Sequence, residues 1–336
     1  MRVGFNPHKD KPQSASGYLH QVIIPVYIPN EEDYFKDSFK IFQLCLESVF
    51  STVHSKTFIT IVNNGSGYFV KEYLDELLKK NRIHEVIHNQ NIGKLNAILK
   101  GLVGNTIELV TITDADVLFQ PNWQRETTNV FQQLPKVGVV GIVPQFKMYE
   151  SNCGNVLFDN FFNPNLKFLP VLNPSALIRF YDSIGWDRNY NQDYLEYNLG
   201  LEINKDFKVL IGSGHFVATY KKDIFEEIPS YLGYKLGGNS EKYLDGAPLK
   251  KGYWRVTTND NYAYHMGNTY EEWMKTDTKQ NYDGQFLSSN FNKNTSLISA
   301  SYFIKNRLFI KFISIKWLVN LFLKWKKLPK EMIEKY

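Results

Sequence analysis

Leu109-Val110-Thr111-Ile112-Thr113-Asp114-Ala115-Asp116 is the stretch from which the fold can be read. Residues that suit a buried, pleated strand run straight into two carboxylates with no turn former between them. Such a strand delivers both acids to one edge of a sheet, beyond its carboxyl end. Upstream the pattern recurs. Residues 21–27 (QVIIPVY), 58–62 (FITIV) and 84–88 (HEVIH) read as strands, the second stopped by the turn formers Asn63-Asn64-Gly65-Ser66-Gly67. Between them, Phe39, Phe42, Cys45, Leu46, Val49 and Phe50 follow helical spacing behind the potential caps Asp37 and Ser38. Tyr73, Leu74, Leu77 and Leu78 mark a second helix, and Leu95, Ile98, Leu99 and Leu102 a third. Residues 137–143 (VGVVGIV) supply a further strand. This alternation predicts an α/β fold of right-handed βαβ units around a mostly parallel sheet, whose ligands gather beyond the strands' carboxyl ends.

Beyond residue 149 the pattern loosens into Asn, Pro and aromatic residues, read as long loops with short elements up to about 200. It returns as strands at 209–211, 216–218, 254–258 and 262–265. The chain has 336 residues, 43% hydrophobic and 22% charged, which excludes wholesale disorder. Its two cysteines, Cys45 and Cys153, exclude a disulfide framework or a structural zinc site. Residues 1–7 contain no apolar h-region, so a reduced, cytoplasmic protein is expected. The net charge of +5 is uneven. Residues 301–336 hold nine basic side chains against Glu331 and Glu334, or +7, which leaves −2 for the rest. The body is therefore no nucleic-acid surface, and the basicity belongs to a tail.

Two motifs fall at strand ends. Asp114 and Asp116 suit a hard divalent cation shared with phosphate oxygens, although Asp-x-Asp is also an ordinary solvated turn. Asn91-Ile92-Gly93-Lys94-Leu95-Asn96-Ala97 opens a helix, and its free N–H groups and lysine suit a phosphate. The plain reading is an Asn cap with a surface lysine. The spacing is not that of a Walker loop.

Taken in order, these pieces resemble the family 2 glycosyltransferases of the GT-A fold. The resemblance rests on an apolar first strand reaching Pro25, and on Ile61-Val62-Asn63-Asn64-Gly65-Ser66 in the place of Val-Asp-Asp-Gly-Ser. It continues through Asn91-x-Gly93-x-x-x-Ala97-x-x-x-Gly101, the Asp114-x-Asp116 pair and Gly212-Ser213-Gly214. Ser240-Glu241-x-x-Leu244 and His265-Met266-Gly267 complete it over roughly residues 20–268. It implies a GT-A glycosyltransferase domain over 1–275, with a nucleotide-binding half at about 20–145 and an acceptor half at about 146–275. A basic, helical extension follows over 276–336.

By that resemblance, an acceptor hydroxyl attacks a nucleotide-sugar donor with inversion, in surface polysaccharide or glycoconjugate assembly. A divalent cation (Mn²⁺ or Mg²⁺) on Asp114 and Asp116, completed by His265, would neutralise the leaving diphosphate. A partly buried strand histidine is the other reading of His265. Pro25, Asn63, Asn64, Gly93 and Lys94 fall on donor-binding positions. Asn63 and Asn64 stand where an acid usually meets the nucleobase; an amide can pair with a base edge but carries no charge. Uridine nucleotides lead, with GDP- and dTDP-sugars open.

Glu241 falls on the catalytic base position, departing from the pattern because Ser240 replaces the preceding acid; Asp245, one helical turn on, competes with it. Trp186, Tyr253, Trp254 and Trp273 are potential sugar-stacking walls, or simply core.

In the tail, large apolar residues alternate with cations. Its longest charge-free run between Lys305 and Lys327 is 317–323, far short of the roughly 20 residues a spanning helix needs. Residues 301–330 suit a helix in an anionic membrane interface, which would make the acceptor lipid-linked; a helix docked on the domain is the alternative. Two other functions stay open: a catalytically silent sugar- or lipid-binding protein, and a nucleotidyltransferase, which usually carries a Gly-rich loop where this chain has Pro25-Val26-Tyr27-Ile28-Pro29.

Overall fold

The computed structural model describes residues 4–6, 9–11, 16–233, 235, 238–275, 291 and 296–336. Strands β1 (His20–Val26), β2 (Thr57–Asn64), β3 (Glu85–Asn89) and β4 (Leu109–Thr113) alternate with helices α1 (Ser38–Thr52), α2 (Tyr68–Lys79) and α3 (Lys94–Gly101). β1 and β4 are buried along their whole length, and apolar or β-branched residues occupy every position in them but His20 and Gln21. There follow β5 (Val117–Phe119), α4 (Trp123–Gln133), β6 (Val137–Gly141), α5 (Gly154–Asp159), β7 (Leu166–Pro170), α6 (Pro174–Ser183), β8 (Tyr197–Glu202), β9 (Lys208–Ile211), β10 (Val217–Lys221), α7 (Gly238–Lys250), β11 (Trp254–Thr258) and β12 (Ala263–His265).

Ten strands form one sheet in the order β3-β2-β1-β4-β10-β6-β11-β9-β8-β7. It is mixed, with seven of the ten strands pointing one way and β10, β9 and β7 opposed. Helices flank it, as expected. The short elements expected among the loops of residues 149–200 are α5, β7, α6 and the start of β8, and β8 and β7 extend the sheet edge. One detail differs from the sequence reading. The strand expected over 262–265 leaves the main sheet: β12 pairs antiparallel with β5, setting His265 opposite Val117.

Asp37 does sit at the start of α1, yet its side chain caps nothing there. Its Oδ2 accepts the Tyr270 N–H at 2.9 Å, so the residue clasps two distant segments.

The basic extension docks on the body. Its described part contains α8 (Ser299–Phe303), a π-helical turn (Ile304–Leu308), α9 (Phe309–Ile313) and α10 (Lys316–Trp325); residues 276–290 and 292–295 lie outside the described residues. Phe322, Leu323, Leu328 and Met332 enter the core cluster built on β7, β8 and β9. Lys326 is only 2% exposed, and its ammonium donates to the carbonyls of Phe161 at 2.6 Å and Asn163 at 3.2 Å. Burial pulls its pKa down to about 8. Tyr336 closes the contact, its hydroxyl donating to the Tyr197 carbonyl at 2.7 Å. Among the described residues no helix is long and apolar enough to cross a membrane.

Candidate active site

The strand order reverses at β1, which has β2 on one side and β4 on the other, so the loops leaving β1 and β4 part and open a crevice. A cleft of about 410 Å³ lies there. Pro25, Asn64, Lys94, Asp114 and Asp116 line it, together with Asn91, Lys235 and Asn268. The β2–α2 and β3–α3 loops are packed back to back to form one wall. Gly65 has φ +92°, and a Cβ there would lie 2.7 Å from the Asn91 backbone nitrogen, so only glycine fits. Gly93, φ +89°, turns the chain into α3; its N–H donates to Asn91 Oδ1 at 3.1 Å, so it shapes the wall without lining the cleft.

The two loop asparagines have different work. Asn63 is buried and its amide is engaged internally: Oδ1 accepts the Ser66 N–H at 2.9 Å and Nδ2 lies 3.0 Å from His88 Nδ1. Asn64 holds the Ile92 N–H through Oδ1 at 3.0 Å, and its Nδ2, which donates to Asn91 Oδ1 at 3.5 Å, borders the cleft.

Asp114 and Lys94 are ion-paired across the cleft floor. Burial alone would lower the Lys94 ammonium, but the carboxylates of Asp114, Glu241 and Asp116 outweigh it and hold its pKa above the usual value. Asp116 lines the same cleft. Burial pushes its carboxyl up, with His265 opposing and Asp114 adding to the shift. Its Oδ1 is buried and finds no hydrogen-bond partner among the described residues.

Its Oδ2 lies 3.4 Å from His265 Nε2. The tautomer of that ring follows from its other side. Ser183 Oγ donates to the Phe180 carbonyl at 2.6 Å, so at 2.9 Å it can only accept from His265 Nδ1. Neutral His265 therefore carries its proton on Nδ1 and aims the Nε2 lone pair at Asp116, the arrangement of a metal ligand oriented by an outer partner. Among the described residues no three His, Cys, Asp or Glu side chains are gathered to hold a metal by themselves. A bare carboxylate oxygen, a ring lone pair and Asp114 nonetheless make a donor set that suits a divalent cation completed by phosphate oxygens.

Glu241 and Asp245, on α7, both face His215, at 3.4 Å from Nε2 and 3.8 Å from Nδ1. They differ in commitment. Asp245 Oδ1 is tied at 2.5 Å to the guanidinium of Arg255, which is buried on β11 and also donates to the Ser213 carbonyl. Glu241 carries no such tie among the described residues and lies within the electrostatic reach of Lys94. The side chain of Ser240, the other half of that motif, lies outside the described residues.

The family comparison decides between the chemistries such a cleft could host: "Glycosyl transferase family 2" matches residues 21–228. The chain belongs to that family. The match takes in β1 to β10 and the cleft residues Pro25 to Asp116, and stops short of Glu241, Asp245 and His265. No curated protein matches the chain. Among solved structures it is similar to a 1–349 fragment of S. aureus TarS, at 12% identity over 74% of this chain and 60% of that one, TM-score 0.43. The same fragment in complex with UDP-GlcNAc aligns over 94% of this chain and 69% of that one, at 11% identity and TM-score 0.45. GalNAc-T7 with UDP, GalNAc and Mn²⁺ aligns at 11% identity over 74% and 44%, TM-score 0.48.

In this glycosyltransferase several cleft residues escaped the sequence reading. Tyr27, Tyr34 and Phe35 provide the aromatic wall, with Tyr27 and Phe35 edge to face at 5.9 Å. Tyr253 and Trp254 are instead buried; the Tyr253 hydroxyl donates to Asp223, so neither is a sugar platform. Trp273 packs against Arg179, at 4.3 Å from its ring, and Trp186 stands on the surface beside Tyr181. His215 was missed because nothing in its neighbours Gly214 and Phe216 marks it. Lys235 was missed because it reaches the cleft only through a clasp: Asn96 bonds the Leu232 backbone in both directions, and the Lys94 N–H then donates to the Lys235 carbonyl at 2.9 Å.

Proposed function

We propose that the chain moves a hexose-type sugar from a nucleotide-diphosphate sugar, with a UDP-sugar as first choice, to a hydroxyl of a saccharide or lipid-linked saccharide. The reaction inverts the anomeric centre and requires a divalent cation, Mn²⁺ or Mg²⁺, and serves surface polysaccharide or glycoconjugate assembly. The observation that carries this is Asp116: a half-buried carboxylate just beyond β4 with one oxygen buried and bare and the other facing the Nε2 lone pair of an oriented histidine. Asp114, Asp116 and His265 would hold the cation, which when bound supplies positive charge against the departing diphosphate.

The chain's own groups do the rest. Lys94 binds the diphosphate, for which it must exchange its bond to Asp114. The Asn64 and Asn91 amides present N–H donors to a carbonyl-bearing base, as uracil is, and Tyr27, Tyr34 and Phe35 offer it a stacking face. Glu241 accepts the acceptor's proton, steered by His215, while Asp245 stays bound to Arg255 as support. A single displacement with the base opposite the leaving group inverts the configuration.

The test is a thermal-shift panel of UDP-, GDP-, dTDP- and CMP-sugars, each with Mn²⁺ and with EDTA. At a hundredfold excess over Kd a ligand of the folded state adds about 2.7 kcal/mol of apparent stability. A shift with one nucleotide class that vanishes in EDTA is expected. A shift indifferent to EDTA overturns the metal assignment, and no shift with any donor favours a silent binding protein.

A further inference from the structure

We infer that residues 299–325 form a two-faced element whose inner face docks on the catalytic body and whose outer face rests on an anionic lipid bilayer. The inner face is set by packing: Phe309, Ile310 and Ile313 lie against the core, and Lys305 pairs with Asp159 at 2.6 Å. The outer face of the same helical run shows Ile304, Leu308, Phe312 and Ile315, apolar residues spaced three or four apart and each more than two-fifths exposed. α10 continues it with Trp317, Leu321 and Trp325, exposed by 62%, 53% and 46%. The patch extends beyond the helices, since Phe162, 83% exposed in the loop before β7, brings its ring to 5.9 Å from Trp325.

Docking has used one face completely and left the other apolar, so something must cover it in the working protein. Charge says what. The sequence from 291 to 330 contains no Asp or Glu. Arg307, Lys311, Lys316, Lys324 and Lys327 are all exposed and stand among these apolar side chains, whereas Lys305 and Lys326 are consumed by docking. A second copy would bring the same cations to an isologous contact, where they repel. An anionic bilayer presents the opposite sign over a hydrocarbon layer, and tryptophan is at home at that boundary. No described helix crosses such a bilayer, so the contact is parallel to the surface.

The inference stands on packing and charge, and not on the donor reading; vesicle binding is measured without nucleotide, so either can fail alone. The full chain is sedimented with vesicles of phosphatidylcholine alone and with added phosphatidylglycerol, at low and high salt. Binding to the anionic vesicles should be at least about tenfold tighter, and salt should weaken it. Replacing Phe312, Trp317 and Leu321 together by Ser, or Arg307, Lys311, Lys316 and Lys324 together by Gln, should each cost about tenfold or more with donor-induced thermal shifts unchanged. Failure to bind vesicles overturns the inference, as does binding indifferent to lipid charge. A solution dimer dissolved by the triple-Ser variant would also overturn it, because the face would then be covered by a second copy. The wild-type lipid and salt comparison decides even where a variant fails to fold.

Discussion

Ser183→Ala should weaken divalent-cation binding without touching a metal ligand. The hydroxyl is placed between the Phe180 carbonyl and His265 Nδ1, and its single proton is committed to the carbonyl at 2.6 Å. Alanine removes the acceptor that keeps the imidazole proton on Nδ1, so part of the population moves that proton to Nε2 and blocks the lone pair facing Asp116. The ring itself stays put, because Phe216 holds it edge to face at 5.5 Å and Phe180 at 6.2 Å. Outer partners of metal-bound histidines are worth about 10- to 100-fold in affinity. With position retained and only the tautomer released, the lower end applies: about tenfold, or about 1.4 kcal/mol. The assay is a Mn²⁺ titration followed by electron paramagnetic resonance of the free ion, with saturating nucleotide, on wild type, Ser183→Ala, His265→Ala and the double variant. In the His265→Ala background the serine substitution should do nothing further, since the ring it orients is gone. An unchanged Mn²⁺ affinity in the single variant refutes the reasoning. So does an undiminished tenfold loss in the double variant, which would mean that Ser183 acts through the fold.

Asp116→Asn should abolish metal-dependent donor binding yet leave the melting temperature equal or higher, because burial already disfavours the charged carboxylate; a clear fall in melting temperature would mean that the charge serves the fold. Glu241→Gln should bind donor normally and transfer poorly, whereas Asp245→Asn should cost about 3–5 kcal/mol of stability by stranding the buried Arg255 guanidinium. The reverse pattern in urea melts and transfer assays would exchange their roles. Acid should destabilise the protein well above the carboxylate range. Burial holds His20 neutral in the fold, with a pKa of about 3, and His54 with one of about 4, against 6.5 unfolded. Stability is therefore full above about pH 6.5 and falls below it, as the unfolded chain takes up protons that the folded one refuses. At pH 5 the two together cost about 4 kcal/mol, read as a lower urea midpoint than at pH 7; a midpoint that holds or rises would contradict this.

What could be read in the sequence follows from where each determinant lies. β4 and β11 emerge with their observed ends because both are dense in the β-branched and aromatic residues that suit a buried strand, and Asp114 and Asp116 inherit their place from β4. The cleft was legible for the same reason, since a parallel sheet fixes where its loops gather. Determinants carried by distant partners were not. Asp245 reads as a free acid until Arg255 arrives from β11, and nothing in the chain around His265 announces that Ser183, 82 residues away, sets its tautomer. Lys326 looks like a surface lysine at a helix end; the carbonyls that bury it belong to Phe161 and Asn163. Tyr253 and Trp254 look like sugar platforms only until β11 is placed inside the sheet. The choice between a docked and an interfacial tail had no sequence answer, because one face of the run packs on the body while the other stays apolar and exposed.

The charges in the cleft bear on how its ligands arrive. Lys94 is held among Asp114, Asp116 and Glu241, and its bond to Asp114 neutralises the carboxylate best placed to help Asp116 with a cation. A cation entering alone must compete with that ammonium for Asp114. A nucleotide diphosphate entering alone meets several carboxylates and, in Lys94, an ammonium that is already engaged. On the proposed function, when both arrive the diphosphate would draw Lys94 away, Asp114 would be released to the cation, and the cation would offset the charge that the diphosphate brings. Each ligand thus removes the obstacle to the other, which is a coupling free energy and must be reciprocal. Mn²⁺ should tighten nucleotide binding by the same factor as nucleotide tightens Mn²⁺, and Lys94→Met should shrink that factor by letting the cation reach Asp114 unaided while weakening the nucleotide. Titrating each ligand at fixed levels of the other, in wild type and Lys94→Met, measures it. Independent binding in the wild type, or a coupling that survives the loss of Lys94, would show that the Lys94–Asp114 pair is not the device that links them.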